Sequence, residues 1–205
     1  MQVKHVRIVG DWQNELQYYE PNFSRRANEK LKTNNCSDEE WNKINQHIFH
    51  HISTGIVRNS RGWINPEKMP TLEKIRGILG LEELQLLILR YLPGEANLWH
   101  VDNFPRHDLH ERPDVELNQE KLSDWSNTQM VRLLMLLEDR KPGQYMQTGD
   151  IMRNNWKAGD VFYYDGHAIF HSAGNAGTEP RMVLRISGIP TPAFEDFLNK
   201  GVHYL

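Results

Sequence analysis

Apolar residues recur every three or four positions in the first part of the chain. A Ser37-Asp-Glu-Glu40 capping box opens one such segment, which ends near Gly55. Its regularly spaced apolar residues are Trp41, Ile44, Ile48 and Ile52. The same spacing predicts a helix over Thr71–Leu79 and a weaker one over Asp11–Tyr19. We therefore predict that residues 1–83 are mainly helical support.

From Leu84 onward the pattern changes to short apolar or aromatic runs separated by Gly, Pro, Asn and Asp. This texture is typical of a β-sandwich or jelly roll. The predicted strands are Leu84–Tyr91, Leu98–Asn103, Met130–Leu137, Gln144–Thr148, Asp160–Asp165, Ala168–Ser172 and Arg181–Ser187. We predict a mainly β fold with flanking α-helices, in which residues 84–188 form the jelly-roll core.

The rest of the predicted organisation is simple. A short helix over Pro192–Gly201 is expected to close the chain, so that residues 189–205 form a C-terminal helix and tail. The polar stretch Pro105–Asn127 is too long for an ordinary turn, and we interpret it as a lid or a small helical insert. We see no interdomain linker, and the 205 residues suit a single domain.

The composition and charge of the chain argue against several classes of function. The net charge is -3 and no basic stripe is present, so there is no clear nucleic-acid footprint. No apolar run is long enough to span a membrane, and the N-terminus lacks the apolar core of a secretory signal. The single cysteine, Cys36, rules out an internal disulfide. We expect a cytoplasmic protein, and its oligomeric state stays open.

The triplet His100-Val-Asp102 is the first chemical signal. On a strand, residues two apart project to the same face, so the two side chains can occupy neighbouring coordination positions. His171 follows a tight turn far along the chain and is the best third ligand. Two histidines and one carboxylate, with positions left open, form the facial triad of non-haem Fe(II) oxygenases. We therefore predict a metal site, also the catalytic centre, at His100, Asp102 and His171.

Two arginines on the last predicted strand strengthen this interpretation. Alternation along Arg181–Ser187 places Arg181 and Arg185 on one face, with Val183 and Ser187. Guanidinium groups inside an apolar barrel are costly to bury without an anion, and a dicarboxylate is the planar partner that arginine matches best. We favour Arg181 as the cofactor-binding cation. Arg185 stays open as its rival, or as the partner of an anionic substrate group or a buried acid.

Other histidines have simpler interpretations. His167 could compete with His171 as a ligand, although the turn at Gly166 favours an exposed loop position. His107 and His110, with Glu111, leave open a second metal site in the polar stretch. Three further histidines, His47, His50 and His51, lie on the predicted helix that Ser37 opens and are interpreted as surface or interface groups. No HExxH, CxxC, Gly-x-Ser-x-Gly or P-loop motif is present.

Two longer stretches resemble one known family. The segment Arg90–Asn103 contains Tyr-Leu-Pro-Gly ahead of His-X-Asp, and Trp156–Arg181 contains a Gly-Asp strand, a distal histidine and a basic residue. Both are similar to the 2-oxoglutarate/Fe(II)-dependent oxygenases of the prolyl hydroxylase type, over roughly residues 84–188. The resemblance implies a double-stranded β-helix and His100, Asp102 and His171 as iron ligands.

The resemblance also implies the chemistry. Fe(II), 2-oxoglutarate and O2 would be required, with Arg181 holding the distal carboxylate and Tyr91 contacting the co-substrate. The reaction would hydroxylate a substrate and release succinate and CO2. The carboxylate of Asp102 favours hydroxylation over the chlorination carried out by related halogenases, which lack it.

The sequence departs from the family in two places, and it leaves alternatives open. Val131–Leu137 has no Tyr or Thr where the family often places a hydroxyl, and Pro142-Gly-Gln-Tyr-Met146 replaces the usual Gly-Gly-Glu. A cupin-like metal-binding protein or dioxygenase that does not use 2-oxoglutarate, and a pseudo-enzyme that binds proteins, are the competing interpretations. A small molecule or amino-acid side chain is the favoured substrate; a peptide side chain or a nucleobase stays open.

Overall fold

The computed structural model describes residues 4–21, 23–24, 60–100, 130–164 and 169–205, with backbone only for residues 23, 24, 60 and 98–100. The predicted helix at residues 37–52, its histidines, and the stretch 105–127 with His107 and His110 lie outside the described residues. Asp102 and His167 also lie outside them.

The described strands form two sheets. The strands are β1 (Lys4–Val9), β2 (Phe23–Ser24), β3 (Ser60–Trp63), β4 (Leu81–Tyr91), β5 (Ala96–His100), β6 (Val131–Leu136), β7 (Gln144–Thr148), β8 (Ile151–Arg153), β9 (Asp160–Tyr163), β10 (His171–Asn175), β11 (Arg181–Pro190) and β12 (Val202–Tyr204). The larger sheet has the order β12-β1-β9-β6-β11-β4-β3-β2, and the smaller sheet has the order β5-β10-β7-β8.

Strands β4 to β11 alternate between the sheets in a way that defines the fold. β4, β6, β9 and β11 belong to the larger sheet, whereas β5, β7, β8 and β10 belong to the smaller one. The neighbours β9-β6-β11-β4 therefore face β8-β7-β10-β5, which is the strand order of a jelly roll. The prediction of a mainly β fold with a double-stranded β-helix core is confirmed.

All seven predicted core strands are present, although their bounds differ in places, and β5 begins at Ala96, two residues before its prediction. β7 coincides with its prediction, and β6 differs by one residue at each end. β4 and β11 are longer than predicted, and β8 was not predicted at all. β10 is displaced, because it begins at His171 instead of ending just after it. Its residues Ser172–Asn175 have little strand preference of their own, so their conformation is fixed by pairing with β5 and β7.

The N-terminal region differs from the prediction of mainly helical support. Where it is described, it contributes strands β1, β2 and β3 to the larger sheet. In β1 the buried residues Val6 and Ile8 alternate with polar ones, which is the period of a strand. β1 pairs antiparallel with β9 and parallel with β12, so both ends of the chain extend the same sheet.

The short helices agree with the sequence-based predictions better than the N-terminal strands do. Helix α1 (Pro70–Lys74) continues as a 3-10 turn, Ile75–Gly77, within the predicted segment. A second 3-10 turn, Gln13–Tyr18, lies within the weaker one, and helix α2 (Pro192–Lys200) forms within the predicted Pro192–Gly201. It does not close the chain as predicted, because strand β12 follows it and pairs with β1. Of the helices that the described ranges contain, none has both the length and the apolar character needed to cross a lipid bilayer.

The larger sheet separates two buried clusters. On its outer face, Met182, Leu184 and Ile186 of β11 pack with residues from β1, α1 and α2. On its inner face, Val183 packs with Tyr91 and other residues between the two sheets. The predicted alternation along β11 is therefore confirmed, and the odd-numbered residues from Arg181 to Ser187 face the barrel interior.

Candidate active site

The barrel has two distinct ends. At one end the β4–β5 and β10–β11 connections meet: the Gly94 amide donates to the Asn175 carbonyl at 2.7 Å, and the Asn175 amide donates to the Glu95 carbonyl at 2.9 Å. This closed end contains Tyr91 and Arg181, which are paired across β4 and β11. At the opposite end, which we call the mouth, β5 finishes at His100 and β10 begins at His171.

His100 and His171 are opposed at the mouth. They are register partners in the antiparallel pair of β5 and β10, although they are 71 positions apart in the sequence. The predicted carboxylate ligand, Asp102, lies two positions beyond β5 and outside the described residues. Within the described ranges, no three His, Cys, Asp or Glu side chains come together as a metal site; that set excludes Asp102 and the His100 side chain.

His171 is held in one orientation. Its side chain is buried, its Nδ1 lies 3.0 Å from the carbonyl oxygen of Ile169, and its ring lies 4.9 Å from that of Tyr164 in an edge arrangement. A carbonyl oxygen can only accept a hydrogen bond, so Nδ1 carries the proton and donates. In the neutral ring the lone pair is then on Nε2. Metal-binding histidines commonly anchor one ring nitrogen to a backbone acceptor in this way and bind the metal through the other.

Thr148 lies opposite His171 on the other side of β10. The two residues are register partners in the β7–β10 pair. Thr148 is 3% exposed, and its Oγ1 has no hydrogen-bond partner. A buried hydroxyl without a partner costs roughly 1–3 kcal/mol, so it marks a place where a ligand could complete the bonding.

Arg181 is the most unusual buried group in the described part of the chain. It is 2% exposed, and none of its three guanidinium nitrogens has a hydrogen-bond partner. Its Cζ lies 5.2 Å from the ring centroids of both Tyr91 and Trp156, so two aromatic rings hold it through cation–π contacts. Burial lowers the pKa of the Arg181 guanidinium, while Tyr91, Tyr164 and Tyr145 act in the opposite direction. Arginine still keeps its charge in proteins.

Tyr91 has a fixed position beside this cation. It is buried, and its hydroxyl accepts a hydrogen bond from Asn97 Nδ2 at 2.8 Å. Asn175 Nδ2 donates to the Tyr91 carbonyl at 3.1 Å, which ties β10 to the end of β4. The predicted pair Tyr91 and Arg181 is thus brought together by strand pairing.

The interior is rich in arginine. Arg185 is buried four positions along β11 from Arg181, Arg132 faces inward from β6, and Arg153 of β8 lies 4.8 Å above the Phe162 ring. Burial lowers the pKa of Arg153. No Asp or Glu occurs on the adjoining strand segments 85–91, 132–136, 144–148, 171–175 and 181–187. These segments therefore contribute arginines and no carboxylate to the barrel lining.

Sequence reasoning missed Trp156 and Thr148 as site residues. Trp156 was noted only as the start of the Gly-Asp stretch, yet it is buried against Arg181. Trp156 lies in an irregular segment before β9, so no periodic pattern in the sequence indicates which way its side chain points. Thr148 ends a strand whose inward-facing side is known only once the register with β10 is known.

No protein-family model and no curated protein matches the sequence. Solved structures similar to the chain include a prolyl-4-hydroxylase from Pseudomonas putida, at 17% identity and a TM-score of 0.41, covering 73% of this chain and 85% of that one. A collagen prolyl hydroxylase from Paramecium bursaria Chlorella virus 1, solved with 2-oxoglutarate, is 13% identical with a TM-score of 0.42, covering 73% and 89%.

A third similar structure belongs to a different class. It is a proposed sugar phosphate isomerase from Acidithiobacillus ferrooxidans, 14% identical with a TM-score of 0.37. The match covers 64% of this chain and spans 59% of the isomerase. The jelly roll itself is identified by the strand order of the two sheets.

Proposed function

We propose that this chain is an Fe(II)- and 2-oxoglutarate-dependent dioxygenase that hydroxylates a small molecule or an amino-acid side chain. The observation that supports it most is the buried guanidinium of Arg181, whose three nitrogens have no hydrogen-bond partner. Leaving a buried cation unpaired is expensive, and a carboxylate matches the planar donors of arginine. The distal carboxylate of 2-oxoglutarate would supply that partner.

The residues at the mouth fit a ferrous ion. His100 and His171 are opposed across two strands, and Asp102 follows His100 at the spacing of a second ligand. The anchored Nδ1 of His171 supports this assignment, because it directs the other ring nitrogen to a cation. These three residues would hold the iron.

The co-substrate would lie between the mouth and the closed end. β10 separates His171 from the level of Asn175 by roughly 13 Å along the strand. A five-carbon dicarboxylate together with an extended arginine side chain suits this separation. Tyr91 would hold the guanidinium of Arg181 from one side and Trp156 from the other, so that the cation is already oriented before the carboxylate arrives.

In this arrangement the cofactors and the protein residues would have different roles. Iron bound with 2-oxoglutarate and O2 would supply the oxidation: one oxygen atom would enter succinate as 2-oxoglutarate lost CO2, and the other would be inserted into a substrate C–H bond. The protein would hold the iron with His100, Asp102 and His171, fix the co-substrate with the buried Arg181 guanidinium, and exclude water with the surrounding apolar residues.

Anaerobic titration tests the proposal. The full chain is mixed with Fe(II) and then with 2-oxoglutarate, and the visible spectrum is recorded. A weak charge-transfer band that requires both components, and succinate formation after air is admitted, are expected. Iron binding without any response to 2-oxoglutarate would instead favour the cupin-like alternative. Failure to bind iron would favour a protein-binding role.

Paired variants then separate the two arginines. Arg181→Gln is expected to raise the KM for 2-oxoglutarate about ten- to a hundredfold, because a hydrogen bond to a charged group contributes roughly 1.5–3 kcal/mol. Arg185→Gln, on the same face of the same strand, is the matched control. A rise in KM in the Arg185 variant alone would transfer the role to Arg185.

A further inference from the structure

Three polar side chains form a row across the inner face of the larger sheet, near the mouth. Gln85 on β4 is the register partner of Ser187 on β11, and Ser187 is in turn the partner of Arg132 on β6. The three are 3%, 2% and 8% exposed. We call them the polar row. It lies six positions along β11 from Arg181, or roughly 20 Å, so it is separate from the proposed co-substrate cation.

The polar row presents hydrogen-bond donors. Arg132 Nε donates to Ser187 Oγ at 3.2 Å, which leaves the Ser187 hydroxyl proton to donate in its turn. The Nε2 amide of Gln85 is buried and has no hydrogen-bond partner. Amide, hydroxyl and guanidinium groups thus meet on one face, and all three can donate a hydrogen bond.

The backbone geometry favours a ligand at this place. Directly opposed residues on antiparallel strands are about 5 Å apart, so the long side chains of Gln85 and Arg132 flank the short Ser187. An oxyanion over Ser187 would be within reach of both. The register of β11 with β4 shifts immediately after Ser187, and such bulges commonly redirect side chains next to active sites.

We infer that the polar row binds an oxyanion of the substrate, a carboxylate above all, so that the enzyme acts on an anionic molecule. The identification of this oxyanion as part of a substrate rests on the proposed function. The binding of an oxyanion by the polar row does not depend on iron or 2-oxoglutarate. The Gln85 amide would gain the partner it lacks, and the Arg132 guanidinium would give the oxyanion a charged donor.

Nuclear magnetic resonance of the metal-free full chain tests the inference. The probe is sodium acetate, and the reporter is the Arg132 Nε–Hε resonance. Acetate is expected to shift it saturably, whereas acetamide, its neutral counterpart, and sodium chloride are not. Inorganic phosphate is titrated in parallel, and whichever anion binds more tightly identifies the substrate group as carboxylate or phosphate. An equal response to acetamide, or no response to either oxyanion, would overturn the inference.

Variants and competition complete the test. Gln85→Leu and Ser187→Ala are each expected to weaken acetate binding about tenfold, since each loses a hydrogen bond to a charged group. Arg7→Gln, on the exposed side of β1, should leave it unchanged. If the row were only structural, Gln85→Leu would not affect acetate binding. Displacement of acetate by 2-oxoglutarate would assign the polar row to the co-substrate and refute the inference. The result of the anaerobic titration with Fe(II) and 2-oxoglutarate would be unaffected.

Discussion

Trp156 covers one side of the Arg181 guanidinium, with its ring centroid 5.2 Å from Cζ, and Tyr91 lies at the same distance. The two aromatic residues come from segments 65 positions apart in the sequence. Together they hold a cation in place without giving it a hydrogen bond, which leaves its donors for a ligand. This relationship has a direct consequence for co-substrate affinity.

Trp156→Leu should raise the KM for 2-oxoglutarate several-fold. A desolvated cation–π contact contributes about 1–2 kcal/mol, and its loss would let the guanidinium move before the carboxylate binds. Trp156→Phe keeps a ring and should have a smaller effect. The measurement is succinate formation as a function of 2-oxoglutarate concentration. An unchanged KM in the Leu variant would show that Trp156 is only a packing residue.

Thr148→Val should change stability and ligand binding in different directions. The hydroxyl of Thr148 is buried and has no partner, so its removal should leave the free energy of unfolding within about 1 kcal/mol or increase it. If the hydroxyl bonds to co-substrate or substrate, the same variant should raise a KM roughly five- to tenfold. Thr148→Ser is the control that retains the hydroxyl. Chemical denaturation measures the free energy of unfolding, and steady-state kinetics measures the KM for each variant. An unaltered KM would show that Thr148 does not bind the co-substrate or the substrate.

Glu15→Gln should destabilise the fold without altering catalysis. The buried Glu15 carboxylate accepts hydrogen bonds from the amides of Thr71 at 2.8 Å and Leu72 at 3.0 Å, at the start of helix α1. A carboxylate interacts favourably with the positive end of a helix, so the variant should lose about 1–2 kcal/mol of unfolding free energy. Glu20→Gln, at an exposed carboxylate, is the matched control. A stable Glu15 variant would contradict this account.

Gly159→Ala should be strongly destabilising. Gly159 has a φ of +88°, and an added Cβ would collide with the carbonyl oxygen of Ile8 in β1. The conformation alone costs an L-residue roughly 1–2 kcal/mol, and displacing β1 would add to it. Gly77→Ala, where a Cβ meets open space, should be close to neutral. Thermal unfolding measures both. Equal melting temperatures for the two variants would mean that the β1–β9 packing adapts to a side chain.

The Gly-Asp motif, Gly159 and Asp160, makes close contacts with β1. Gly159 is required because β1 crosses it closely, and Asp160 accepts a hydrogen bond from the Lys157 amide at 2.9 Å. Asp160 also pairs with His5 of β1 at 3.2 Å. A motif that in the sequence suggested kinship with an oxygenase family thus has a structural role in joining β9 to β1.

The sequence by itself determined the fold class and the strands that carry the candidate site residues. Alternation in Arg181–Ser187 was sufficient to place its two arginines on the inner face, because a side-chain period of two needs no knowledge of the neighbours. The spacing in His100-Val-Asp102 and the distant His171 suggested a metal site by chemistry alone. These inferences depend on local geometry.

Only the tertiary structure decided which residues meet. The opposition of Thr148 and His171, the rings around Arg181 and the polar row all depend on register between segments far apart in sequence. Register is set by pairing and packing of whole strands, and a shift of one residue would reverse every side chain. The placement of β10 shows the same dependence, since its Ser, Ala, Gly and Asn have little strand preference and take their conformation from the strands on either side.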